Sequence, residues 1–445
     1  MEAGKPHKPN PSLHGTKAKS QVNRAAEVSG RLKYALKGTS FMDTIIRNAL
    51  LIGEERPKDV GVLDGRISKI APSIQERAET EIDARGALVC PGFVDSHLHL
   101  DKVLLSDRYR YENRPRIQPD YVRHAIAVEN ELKKNWTVAD VTERAKKVVQ
   151  MAVANGTTVI SAMVDIDQYA TLTGLKGIVE AREQCRDLVD IQIVAFPQNG
   201  IVNAPGVEGL LRDAMRQGAD VVGGLPDVDP NPEEQIDILF DIAKRFNTSI
   251  NTHIDQTLTP TPFSLPYMAK KTVDEGYQRR VTVAHCYNLS AVPLEKAKQT
   301  LGMIREAQIS MCFNPKRWLV PGSRDLLLES GVNVALITDN IRDVWNPFGN
   351  GDMLLIALLV AFAGYGTDMA EKNWQDIFGM ITNNAARAIG TEKDYGLAEG
   401  KAADLVILDA KSPAEAITSQ RRRLWVLKRG RIIAKNGTIL AKGHG

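Results

Sequence analysis

The sequence predicts an α/β protein: a parallel (β/α)8 barrel of the TIM-barrel type, carrying a small β-sandwich domain formed from both chain ends. Three observations predict it. Eight apolar runs of strand length recur through the middle of the chain, and helical patterns fill most of the intervals. Both ends are instead rich in short β-type runs. The residues able to do chemistry fall where the barrel strands would end.

The chain starts with a polar tract, residues 1–41, rich in Lys, Pro, Ser, Asn and Gly, with little apolar periodicity. It lacks the apolar core of a secretory signal and reads as a disordered extension, with Met42 a plausible natural start. An added leader and an organelle-targeting segment stay open as alternatives. β-type runs follow at 44–51 and 60–70, the second interrupted by the hairpin turn Asp64-Gly65. Similar runs return at 403–408, 424–428 and 431–434, with Arg429-Gly430 as another tight turn. One β domain built from residues 42–90 and 394–440, with a barrel at 91–393 inserted, accounts for both ends.

The barrel runs are 93–99, 156–164, 191–196, 221–225, 249–253, 281–285, 309–313 and 332–337. They are apolar and rich in β-branched residues, as strands covered on both faces require. Helical patterns lie between them, for example at about 118–154, 232–245 and 293–307. A doubly wound sheet is the alternative. It needs a glycine-rich phosphate loop after the first strand, and GxGxxG is absent there.

Composition excludes several function classes. Of 445 residues, 43% are hydrophobic and 25% charged, an ordinary globular balance. A net charge of +3 is too mild to argue for nucleic acid or an anionic membrane. The run Arg421-Arg422-Arg423 reads as a solvated turn or strand edge. No apolar stretch reaches the ~18 residues of a membrane span, and the longest, 353–363, reads as a buried helix. Cys90, Cys185, Cys286 and Cys312 form no CxxC pair, which argues against a disulfide framework or zinc ribbon and fits the reducing cytoplasm.

The chemistry centres on Pro91-Gly92-Phe93-Val94-Asp95-Ser96-His97-Leu98-His99-Leu100-Asp101. Residues two apart share one face of a strand, so His97 and His99 point the same way. Of the eight histidines, His253 and His285 also fall at strand ends, the fifth and sixth; His7, His14, His124 and His444 do not. The eighth strand ends in Thr338-Asp339-Asn340. A lone strand histidine is usually a core residue, but four at barrel-strand ends define a metal site. His97, His99, His253 and Asp339 are expected to hold one divalent ion, which lowers the pKa of a bound water towards ~7 and supplies hydroxide. Asp339 is expected to accept the proton of that water, and His285 to stabilise developing charge. The fourth strand ends without a lysine that carbamylation could turn into a bridge, so a single metal is expected.

These motifs, with Val194-Ala195-Phe196-Pro197-Gln198-Asn199-Gly200, His253-Ile254-Asp255-Gln256, His285-Cys286-Tyr287-Asn288 and the stretch Thr338 to Gly349, resemble the amidohydrolase superfamily, in its cytosine deaminase-like branch. The stretch after the eighth strand is most similar to a triazine-degrading member. The resemblance implies a distorted barrel, one zinc or iron ion and a homo-oligomer. It implies hydrolysis of a C–N bond on a small heterocycle of pyrimidine or triazine type, by deamination or dealkylamination. It also implies that Gln198 hydrogen-bonds the ring and that Trp345 packs over it. Two positions depart from cytosine deaminases. Gln256 stands where they carry a proton-shuttling Glu, and an amide cannot act as acid or base near neutral pH. Asn340 stands where they carry a second Asp. Strand alternation would turn Asp255 inward beside His253 as a substitute acid. The alternative reading keeps the site but opens a cyclic amide or imide without releasing an amine. A catalytically silent barrel scaffold should have lost metal ligands, and this chain keeps all four.

Overall fold

The computed structural model describes residues 41–109, 120–316, 323–365 and 369–440. The expected extension lies, up to residue 40, outside the described residues, as does the start of the first helical stretch. Within that stretch two helices form, Asp120–Lys133 and Val138–Ala154.

Eight strands make a parallel sheet in sequence order. Barrel strands 1 to 4 are Phe93–His99, Thr157–Asp165, Asp190–Phe196 and Val221–Gly224. Barrel strands 5 to 8 are Ile250–Ile254, Val281–His285, Ser310–Phe313 and Asn333–Leu336. Nearly every residue in them is buried, because helices cover the outside and side chains fill the inside. Helix boundaries follow local chemistry. In Pro232–Phe246, Asn231 caps the Glu234 N–H, Pro232 occupies the first turn and Asn247, with φ 50°, ends the helix.

The sheet closes on itself through a seam between strands 1 and 8. Regular pairing of strand 8 stops at Leu336, and closure passes to a parallel bridge between Leu98 and Asp339. There Asp339 N–H donates to the His97 carbonyl at 3.0 Å, and His99 N–H donates to the Asp339 carbonyl at 2.8 Å. Just below, the Thr338 N–H and hydroxyl donate to Asp95 Oδ1 and Oδ2 at 3.2 and 2.5 Å. Above it, Leu104 and Ser106 donate to the carbonyls of Ile341 and Arg342. The barrel interior under the seam is filled by Val94, Val159, Ala284, Cys312 and Ala335.

Both chain ends meet in a separate nine-stranded sheet. Its hub is Phe41–Leu51, which pairs antiparallel with Lys58–Leu63 and parallel with Arg77–Asp83 over its first half. Its last residues instead pair with Leu88–Pro91, which joins Leu405–Leu408, Arg423–Lys428, Arg431–Lys435 and Thr438–Ile439 in turn. Ile46, Val60, Val62, Ile67, Val89, Leu405, Ile407 and Leu427 pack together as its core. Two expectations are corrected. Arg423 is not solvated: it is buried in its strand, ion-paired to Asp352 and donating to the Asn155 carbonyl, which ties this sheet to the helix preceding barrel strand 2. The apolar run 353–363 is a helix, Met353–Tyr365, but Leu359 and Phe362 reach solvent. Among the described residues, no helix is long and apolar enough to cross a membrane.

The two units lock at a close approach. A Cβ on Gly92 would lie 2.2 Å from Thr158 Oγ1, so only glycine lets strand 1 enter beside strand 2. Tyr395 Oη donates to the Gly92 carbonyl at 2.6 Å. The Lys428 ammonium, 1% exposed, donates to the Thr158 carbonyl at 3.0 Å, Asp190 at 2.7 Å and Asp404 at 2.6 Å. Asp404 is itself buried, so removing the cation strands a carboxylate. Lys428→Met is therefore expected to cost about 3–5 kcal/mol of unfolding free energy, read by denaturant titration.

Candidate metal centre and active site

Strand geometry brings four histidines and one aspartate to the C-terminal mouth of the barrel. His97 and His99 leave strand 1 on one face, as their spacing predicts, with ring centroids 5.3 Å apart. His253 leaves strand 5, and its Nε2 stands 2.8 Å from that of His97 and 3.2 Å from that of His99. Asp339 Oδ1 lies 3.9 Å from His97 Nε2 and 3.7 Å from His99 Nε2. His285 ends strand 6, where φ 73° turns the chain out of the sheet; its ring centroid is 4.3 Å from that of His253. One ligand atom from each of His97, His253, His285 and Asp339 fits within a mutual 4.8 Å. His99 joins this group through His253 and Asp339, so the centre is a cluster of five.

Burial holds these imidazoles neutral. It pushes the pKa of His97 down to about 4, that of His99 and His253 well below the ordinary value, and that of His285 lower as well. Neutral imidazole is the metal-binding form. His253 Nε2 carries either one proton or one lone pair, so a hydrogen bond satisfies only one of its two close imidazole contacts. A cation shared by the three nitrogens and the carboxylate satisfies all of them, and the donor set suits a divalent ion. Asp339 is aimed by Asn314, whose Nδ2 donates to Oδ2 at 2.8 Å and so leaves Oδ1 to the histidines. Asp339 sits at φ 66°, off the regular strand, with its backbone locked in the seam.

A cavity of about 540 Å3 opens at this mouth, lined by Ile126, Asn130, Gln198, Asp227, Gln256 and Thr257 among others. Gln198 and Gln256 thus stand where a ring could meet them. Trp345 is half-buried, with its indole N–H donating to Glu129 at 3.2 and 3.3 Å. Asn340 is turned to its own loop: Nδ2 donates to Asp343 Oδ2 at 2.7 Å, and Asp343 Oδ1 accepts the Trp345 backbone N–H at 2.8 Å.

Asp255 does not stand where strand alternation placed it. Regular strand geometry ends at Ile254, and Asp255 flips to φ 53°. Its carboxylate accepts the N–H groups of Ser264 at 2.8 Å and Leu265 at 3.1 Å, at the start of the helix Leu265–Asp274. Burial and the neighbouring Asp227 push its pKa up to about 7, but its oxygens are engaged in a helix cap. Asp227 in turn accepts the N–H groups of Asp255 and Gln256 at 2.9 and 2.6 Å and lines the cavity. Sequence reasoning missed Asp227 and Asn314. Each follows a strand by one to three residues, and a search for polar residues just past every strand end would have found both.

A barrel with a buried His/Asp cluster and a cavity at its mouth is the architecture of a metal-dependent hydrolase. Residues 80–434 match the amidohydrolase family, and the chain belongs to it: it is a hydrolase acting on C–N bonds. It is 38% identical over 415 residues to the N-isopropylammelide isopropyl amidohydrolase of Pseudomonas sp. strain ADP, covering 90% of this chain and 99% of that one. The crystal structure of 5-methylcytosine deaminase from Klebsiella pneumoniae with 5-fluorocytosine superposes with a TM-score of 0.80 at 28% identity, covering 88% and 97% of the two chains. That of N-isopropylammelide isopropylaminohydrolase from Burkholderia multivorans superposes with a TM-score of 0.78 at 30% identity, covering 89% and 99%.

The cap role of Asp255 is testable. Asp255→Ala is expected to lower unfolding free energy by about 1–2 kcal/mol while the pH–rate profile keeps its shape. Loss of one limb of that profile would instead make Asp255 a proton-transfer group.

Proposed function

We propose that this chain removes ammonia or an alkylamine from a ring carbon of a small nitrogen heterocycle of pyrimidine or triazine type, by metal-dependent hydrolysis. The observation that carries this reading is the convergence of His97, His99, His253 and Asp339 beside an amide-lined cavity. The relatives named for N-isopropylammelide and 5-methylcytosine support the ring class. Those four residues hold the ion, zinc or ferrous iron, since both accept imidazole and carboxylate. When bound, the ion supplies an activated water for attack on the ring.

The chain's own groups do the rest. Asp339 Oδ1 accepts the proton of the attacking water and returns it to the departing nitrogen, so water is consumed and ammonia or an amine leaves. His285 is buried and neutral, and its Nε2 has no hydrogen-bond partner among the described residues. It offers that nitrogen to charge building on the substituent of the attacked carbon. Gln198 and Gln256 hold the ring edges, and Trp345 covers its face. Asn340 supports Trp345 through Asp343. Gln256 cannot shuttle a proton, which fits a ring carbon already polarised by neighbouring oxo groups. We also place the enzyme in the cytoplasm as a homo-oligomer: the four buried cysteines without a disulfide support the first, the family resemblance the second.

The test is ammonia and amine release from metal-loaded protein across pyrimidines, triazines and cyclic imides. Release from an aromatic ring is expected; turnover of an imide without amine release would make this a ring-opening enzyme. His285→Ala should lower kcat about 10²–10⁴-fold at unchanged metal content. His99→Ala should lose the metal itself, measured by elemental analysis. The opposite pattern would exchange the roles of His99 and His285.

A further inference from the structure

We propose that Lys102 sets the hydrogen-bonding polarity of the substrate pocket by holding the amide of Gln198 in a single orientation. The proposal rests on the placement of Gln198 against the ring given above.

Lys102 lies three residues after His99, and its side chain is fully buried. Its ammonium donates to Gln198 Oε1 at 3.0 Å and to Glu129 Oε2 at 3.1 Å, and is ion-paired with Asp165 Oδ2 at 2.8 Å. Burial alone would push its pKa down, but Asp165 and Glu129 raise it above the ordinary lysine value, so it stays charged. An ammonium has three protons and no lone pair, so towards every neighbour it can only donate. Lys102 is therefore neither nucleophile nor base. It is a positioning residue.

Its chemistry fixes the glutamine. A group that can only donate must meet Gln198 through Oε1, because the flipped amide would set N–H against N–H. The other end, Nε2, has no protein partner among the described residues and is left to the cavity that Gln198 lines. A freely flipping glutamine reads either a donor or an acceptor. This one turns its N–H donors to the pocket.

The surrounding charges hold the arrangement. Lys133 pairs with Asp165 at 2.5 Å and with Asp167 at 2.7 Å, and Asp167 accepts the side-chain amide of Asn199, next to Gln198, at 3.0 Å. Glu129 takes the indole N–H of Trp345 as well as the Lys102 ammonium. One buried lysine thus ties down both side chains expected to touch the ring.

The ring edge at Gln198 must therefore accept a hydrogen bond. The substrate class is a heterocycle with an oxo oxygen at that edge, in addition to the amino or alkylamino group that leaves. An exocyclic amino group at the same edge would meet the amide donor to donor.

The experiment compares kcat/KM of the metal-loaded enzyme on pairs that exchange one oxo group for amino: cytosine with 2,4-diaminopyrimidine, and ammelide with ammeline. The wild type should favour the oxo-richer member at least tenfold. Lys102→Met frees the amide to flip and should cut that preference about tenfold. Gln198→Glu keeps one oxygen on Lys102 and turns an acceptor to the pocket, so preference should move towards the amino-richer member. A lysine with a merely structural role would lower both members equally. If Lys102→Met fails to fold, Gln198→Glu alone decides. An unchanged ratio in Gln198→Glu, or equal loss of both members, overturns the proposal. A wild type that releases no ammonia or amine from any ring overturns the functional reading beneath it.

Discussion

The barrel closes through residues of its candidate metal centre. Two backbone hydrogen bonds, Asp339 N–H to His97 and His99 N–H to Asp339, join the first strand to the last. Those bonds fix the main chain under three side chains of the candidate centre. Closing the cylinder and assembling the donor set are therefore one event. The seam also explains why strand 8 is short: past Leu336 the chain trades regular pairing for a conformation with Asp339 at φ 66° that aims its carboxylate inward. Asp95, with its pKa pushed up to about 7 by burial, clamps Thr338 just below and keeps the last strand from sliding.

Around that seam the protein buries polar groups at a density that would destabilise an ordinary core. Two strategies make this tolerable. At the centre, burial keeps the imidazoles neutral, so their lone pairs are ready for a cation. One layer out, charges are kept but paired: Lys102 and Lys133 share Asp165, with Glu129 and Asp167 at the flanks. Removing one partner there strands its neighbours, which makes the layer stiff and the amide of Gln198 single-minded.

Much of this was legible in the residues. The eight apolar runs located the barrel strands to within a residue or two, because strands covered on both faces leave a continuous signal. The two-residue spacing of His97 and His99 carried their shared face. The failures lie where the chain leaves a regular strand. Alternation put Asp255 beside His253, but it operates only while φ stays extended, and the backbone turns at that residue. Asp227 and Asn314 act from strand ends with no motif around them. Lys102 directly follows the Pro91–Asp101 motif, yet its role depends on Glu129 and Gln198, and no local pattern links them. Arg423 read as surface from the basic run, and only the fold reveals its burial and its partner, Asp352.

The flanking sheet has a consequence for how the chain comes into being. The strand Leu88–Pro91 emerges from the ribosome early, but its neighbour Leu405–Leu408 is among the last to appear. The first barrel strand likewise waits for Tyr395 and for the seam residues of the last one. Vectorial synthesis therefore cannot finish either layer piecemeal. The nascent polypeptide keeps an unpaired edge on Leu88–Pro91 until Leu405–Leu408 has been made, so the flanking sheet is completed only after every barrel strand has been translated, and that edge is exposed to chaperone capture in the meantime.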